Sequence, residues 1–386
     1  MDFDFLSPVS EELIERLSGL NEQALGANIK IHTDNSGVPD LEGVQVAIVG
    51  VRENRLADYG DENLHFDDIR ASFYRLFPGN WHINIADLGN IERGETVEDT
   101  YFALQNLVAQ LVKSDVIPLI LGGSQDLIYA QYRAYDTLDQ MVNLVNIDSK
   151  FDLGDAENPI SSQSYVGKIV VNKPYNLFNY SSVGYQTYFN SQHEIELMER
   201  LFFDAYRLGE VSSNIPLIEP VMRDANLVGM DLGAVDAAAL GGGYFNSPNG
   251  FNGKEICALA RYAGISDKVS SFGIFEYRSA FGDLANMLVA QMMWYFLEGV
   301  NYRTNENTIS AKKEFVKYQV PIDDEILVFF KSPLSGRWWI EIPFLASVNT
   351  KLKRHTLLPC SEEDYLEACN QVIPDRWYKA KRKNEV

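Results

Sequence analysis

Two carboxylates with a lysine between them stand at the end of an apolar run. In VNLVNIDSKFDLGD (142–155), Val142, Leu144, Val145 and Ile147 lead to Asp148; Asp152 follows four residues later and Lys150 lies between. A short run of this kind reads as a buried parallel strand, and the carboxyl end of such a strand is where open α/β sheets place ligands. The two carboxylates could hold a divalent cation, and with a lysine between them they could equally hold an ammonium. Three more strand candidates end in polar groups. VIPLIL (116–121) passes through Gly122 and Gly123 to Gln125, ANLVGM (225–230) ends at Asp231, and SSFGIF (270–275) ends at Glu276. A single aspartate in such a place commonly caps the next helix. Four strand ends together converge on one edge of a parallel sheet and imply a shared site.

The elements that must carry these residues alternate along the chain. VQVAIVGV (44–51) is the first strong strand; helical periodicity over 66–77 and 95–113 brackets a strand at 82–88. Further weak strands are expected at 168–171 and 182–185, helices at 193–209, 210–223 and 254–263, and a long apolar helix at 282–300. Strand–helix alternation over such a length predicts βαβ units and a mainly parallel sheet in an α/β fold. The expected organisation is an N-terminal arm (1–43), an α/β domain (44–304) and a C-terminal extension (305–386) with a hairpin, a short helix and a basic tail. A hydrophobic content of 46% supplies a sizeable core, and the net charge of −21 argues against nucleic acid or an anionic membrane as a partner. Three scattered cysteines (Cys257, Cys360, Cys369) give no disulfide framework, and no stretch is long and apolar enough to predict membrane insertion. The expected location is cytoplasmic.

The strand-end residues resemble the signatures of the ureohydrolases, the family of arginase, agmatinase and formimidoylglutamase, with formimidoylglutamase-like members nearest. The family patterns GGxH, DAHxD and SxDxDxxDP stand here as GGSQ (122–125), DSKFD (148–152) and GMDLGAVD (229–236), and Glu276 matches the substrate-side glutamate. The resemblance implies a three-layer α/β/α sandwich with a mainly parallel sheet. It also implies two manganese ions activating water against a guanidino or formimino group, the work of a C–N hydrolase of linear amidines. The departures from the family pattern carry the functional reading. Of the metal-ligand positions, Asp148, Asp152 and Asp231 remain, while the two histidines are Gln125 and Lys150 and one aspartate is Gly233. A lysine ammonium repels a dication, and glycine offers no donor. The set Gln125, Asp148, Asp152 and Asp231 is all oxygen and could still hold a single Mn, Mg or Ca ion.

The resemblance with its departures therefore predicts a non-catalytic relative with no cofactor, whose Lys150 ammonium neutralises Asp148 and Asp231. It would act on an unknown protein partner or a further copy of itself. Two other readings stay open: a hydrolase with an atypical one-metal site, and a small-molecule binder that keeps Glu276 and the old pocket. His32, His65, His82, His193 and His355 show no metal-ligand spacing. Gly241–Gly243 lack the Lys-Ser/Thr of a phosphate loop. The tail, with Trp377 and Tyr378 beside Arg376, Lys379, Lys381, Arg382 and Lys383, is the most distinctive surface, suited to an acidic partner.

Overall fold

Buried, branched apolar runs build the centre of the computed structural model, which describes residues 3–60, 63–138, 140–155, 157–242, 247–306, 314–342 and 357–385. The strands are β1 (Leu6–Ser7), β2 (Lys30–Ile31), β3 (Val46–Val51), β4 (Ile85–Ile91), β5 (Ile117–Gly122), β6 (Val142–Ile147), β7 (Leu177–Tyr185), β8 (Asp204–Arg207), β9 (Leu227–Asp231) and β10 (Ser271–Phe275). They form one ten-stranded sheet in the order β1-β4-β3-β5-β10-β9-β6-β7-β8, with β2 also on β4. All pairings are parallel except that of β1 with β4. Successive side chains of a strand face opposite ways. In β3, Val46 and Ile48 enter one apolar cluster while Ala47, Val49 and Val51 enter another. Helices cover both clusters, which makes the three layers.

Two helices on one face, Gly253–Ile265 and Asp283–Asn301, approach through glycine. A Cβ on Gly264 would lie 2.0 Å from the Phe296 carbonyl oxygen, and one on Gly299 2.5 Å from that of Arg261. On the other face, residues 168–171 belong to the helix Tyr165–Val171 and not to a strand. Contact decides against their β-branched side chains: Gly167 lets this helix close on the backbone after β6, where a Cβ would sit 2.0 Å from the Leu153 oxygen.

A second sheet follows the domain. β11 (Val316–Ile322), β12 (Glu325–Lys331), β13 (Trp338–Glu341) and β14 (Leu357–Cys360) pair antiparallel in chain order around their own cluster of Leu327, Phe329, Trp338 and Ile340. Buried Arg223 ties this sheet to the core. Its guanidinium donates to the carbonyls of Trp338 (3.0 Å) and Cys360 (3.0 Å) and lies 4.5 Å from the Trp339 ring centre. The basic tail is the helix Asp375–Glu385, packed through Trp377 and Ala380. No helix among the described residues is long and apolar enough to cross a membrane.

Candidate functional site

Sheet order brings the four polar strand ends together. β5, β10, β9 and β6 are consecutive neighbours, with Phe275 opposite Asp231 and Ile147 opposite Met230. Gln125 follows β5 on its glycine turn, Glu276 follows β10, Asp231 closes β9, and Asp148 follows β6. They meet at a cavity of about 410 Å³ lined by Gln125, Lys150, Asp152, Asp231, Gly233 and Glu276. Asp148 is completely buried behind that lining. Asp152 and Glu276 are held on left-handed backbone, φ 50° and 59°, a conformation that tends to collect at functional sites.

The carboxylates are not equally provided for. Asp148 accepts from Gln125 Nε2 (2.6 Å), Asn146 Nδ2 (3.1 Å) and the Lys150 amide (2.9 Å), so both of its oxygens are taken by protein donors. Asp231 accepts from the Gly233 amide at 2.6 Å, a capping contact that shows the bland role of a strand-end aspartate coexisting with the site. Glu276 accepts from the Gln125 amide at 2.9 Å. Asp152 Oδ2 is buried and meets no donor.

Burial is the first cause of the electrostatics. Desolvation, with Asp148 alongside, pushes the carboxyls of Asp152 and Asp231 well above the usual carboxylate range. Desolvation also carries Glu276 up to about 8, against the opposing bond from Gln125. Burial pulls the Lys150 ammonium down, but Asp152, Asp58, Asp148 and Asp231 outweigh it and the net shift is upward. The ion pair Lys150 makes is with Asp58, at 3.6 Å, and its side chain is 39% exposed. The expected neutralisation of Asp148 and Asp231 by this ammonium thus acts through space, while its ion pair is with a loop carboxylate.

Asn146 is the main participant that strand-end reasoning misses. It sits inside β6 and donates to both Asp148 and Tyr165 (2.8 Å). An amide deep within a buried strand was the available signal. Asp58, Tyr59, Gln163 and Arg278 also line the cavity, from loops whose folding no periodicity announces. The Arg278 guanidinium lies 4.2 Å from the Tyr59 ring centre. Buried His32 bonds the Leu88 carbonyl through Nδ1 (2.9 Å), an ordinary core role. His355 and Gly243 lie outside the described residues. Among the described residues no group of three or more His, Cys, Asp and Glu side chains is arranged to hold a metal ion.

A family model described as the arginase family matches residues 62–298, well over half of the sequence. This chain belongs to the arginase family. It is 26% identical over 247 residues to a formimidoylglutamase of Staphylococcus aureus, covering 60% of this chain and 78% of that protein. It is 31% identical over 137 residues to one of Macrococcus caseolyticus, covering 35% of this chain and 43% of that protein. Among solved structures, Bacillus subtilis formimidoylglutamase superposes with a TM-score of 0.62 at 16% identity, over 74% of this chain and 96% of that one. Trypanosoma cruzi formiminoglutamase with manganese superposes with a TM-score of 0.61 at 16% identity, over 69% and 96%. These superpositions establish the arginase-like fold, to which the antiparallel C-terminal sheet is an addition.

Proposed function

We propose that this chain is a non-catalytic arginase-family protein that works by binding. The observation that carries the reading is the state of Asp148. A carboxylate at a metal-ligand position of the family signature accepts three N–H groups, one of them from Gln125 at a position where that signature has histidine. Lys150 stands at the other histidine position, and Gly233, where an aspartate is missing, contributes only its amide to Asp231. This donor set does not fit a pair of manganese ions, since it offers no imidazole, one cation and one fewer carboxylate. Without a metal pair the family route to hydroxide at neutral pH is absent.

Two binding modes compete, a protein surface and the cavity. The basic tail, the first candidate for a protein or a second copy, is engaged within the chain. Arg376 pairs with Asp364 (3.1 Å), Lys379 with Asp204 (3.3 Å) and Lys381 with Glu325 (2.5 Å), while Lys383 donates to Asn179. The cavity has the more specific support, because one of its lining carboxylates has no hydrogen-bond donor. A hydrolase of a formimino substrate, as the relatives are named, is supported by the shared fold and by Glu276 in the same cavity. Elemental analysis of protein made in manganese-supplemented medium, with assays on N-formimino-L-glutamate and L-arginine, decides between them. The expected result is less than one manganese per chain and no product. Two manganese ions per chain together with turnover overturns the non-catalytic reading.

A further inference from the structure

Three observations at the cavity point to a ligand of one kind. Asp152 is 4% exposed, lines the cavity, and its buried Oδ2 meets no hydrogen-bond donor, while the Gln125 and Asn146 side-chain amides donate to Asp148. A buried polar atom without a partner is uncommon in a folded protein and calls for an explanation. Asp231 and Glu276 line the same space, and each has one hydrogen bond, to a backbone amide. The chain's own nearest ammonium, on Lys150, leans away to Asp58. The carboxylate floor is therefore provided with fewer donors than it has oxygens.

The rest of the lining says what could supply those donors. Tyr59, Phe189, Pro248 and Phe281 contribute apolar surface, and Phe189 is 44% exposed, which marks the open side. At about 410 Å³ the space suits a small organic molecule rather than a bare ion. We infer that the cavity binds an aliphatic primary amine, its ammonium on the carboxylates of Asp152, Asp231 and Glu276 and its alkyl chain along the aromatic side toward solvent. An ammonium has three donors on a tetrahedral nitrogen and no acceptor, which matches carboxyl oxygens that no protein donor occupies. Such charge-assisted bonds are the strong ones. The organic cation then occupies carboxylates that the arginase-family signatures assign to metal. This inference rests on the non-catalytic reading above.

The test titrates the full chain, dialysed against EDTA and then against buffer, with n-pentylamine and with 1-pentanol as the uncharged match, by isothermal calorimetry near neutral pH. The amine is expected to bind, and the alcohol to bind more weakly by about tenfold or more. Asp152→Asn is expected to lose about tenfold or more in amine affinity while leaving the response to pentanol unchanged. Asp231→Asn serves as the second variant should the first fail to fold, as judged by near-ultraviolet circular dichroism. Equal binding of amine and alcohol overturns the inference, as does unchanged amine binding in both variants. A parallel Mn²⁺ titration separates the two levels. No binding of amine and no uptake of manganese sinks the amine site and leaves the non-catalytic reading standing. Uptake of two manganese ions per chain sinks both.

Discussion

Arg70 and Asp87 are both completely buried, and the charged atoms of both are provided for. The guanidinium holds Asp87 through Nε (2.8 Å) and Nη2 (3.1 Å) and also donates to Asn90 Oδ1 (2.8 Å) and the Gly89 carbonyl (2.7 Å). Tyr74 Oη and the Gly89 amide complete the carboxylate at 2.7 Å and 2.9 Å. Asp152 and Asp231 at the cavity are buried nearly as deeply, yet Asp152 has an oxygen without a donor and the ion pair of the nearest lysine is with Asp58. Both groups answer to the same rule, that charge leaves water only with partners. Where the rule is satisfied the charges serve the fold. Where it is left unsatisfied beside a cavity, the missing partner is expected to come from outside the chain, as solvent protons or as a ligand.

The contrast breaks most visibly if one side of the satisfied pair is removed. Arg70→Met leaves Asp87 buried without its cation and is expected to destabilise the fold by about 3–5 kcal/mol in urea unfolding. A loss below about 1 kcal/mol would place Asp87 in the same class as the cavity carboxylates, and the comparison would fail. The opposite sign is expected at the cavity. Asp152→Asn removes a carboxylate short of donors and puts an amide donor beside Asp148, so stability is expected to rise by about 1–3 kcal/mol. A clear fall in melting temperature would mean that Asp152 already has its partner.

The pH dependence sharpens the same difference. Glu276 holds its proton in the folded chain up to about 8, while the unfolded carboxyl releases it near 4.5. Between those values the folded state binds more protons than the unfolded state, so this group makes stability fall as pH rises through that window. The slope it contributes is at most about 1.4 kcal/mol per pH unit. Glu276→Gln is expected to flatten the fall between about pH 5 and 8. An unchanged slope would assign it to Asp152 and Asp231, which are shifted in the same direction.

How much of this was legible in the sequence follows from what a strand pattern encodes. A parallel sheet puts every strand's carboxyl end on one edge, so Gln125, Asp148, Asp231 and Glu276 could be placed together from their positions alone. The alternation of strands and helices likewise gave the layered domain. Side-chain direction is another matter. Nothing in the spacing of Lys150 from Asp148 and Asp152 tells whether its four methylenes carry the ammonium inward or out to Asp58, which arrives from a loop. Asn146 was hidden inside a buried strand. Residues 168–171 look like a strand because Ile169, Val170 and Val171 are β-branched, and the contact that makes them helical lies with Leu153, across a loop. The tail reads as a basic surface for an acidic partner, but Trp377 and Ala380, three apart on one helical face, pack it against the chain.

Lys150 gives the smallest expected effect and the finest test. The sequence alone suggests that Lys150→Met should destabilise the fold by leaving Asp148 and Asp231 as unpaired buried carboxylates. The structure gives a different account. Asp148 is satisfied by Gln125, Asn146 and the Lys150 backbone amide, which the substitution keeps. The ammonium it removes pairs with Asp58 at 3.6 Å, with side-chain exposures of 39% and 52%, a range in which solvent screens most of the attraction. Exposed pairs of this kind are worth at most about 1 kcal/mol, so Lys150→Met is expected to change stability by less than that, measured by thermal or urea unfolding. The methylenes of methionine retain much of the packing of the lysine stem. A loss approaching that of Arg70→Met would mean that the lysine turns inward in solution and acts as the internal counter-cation. The cavity would then already hold its ammonium, supplied by the chain itself.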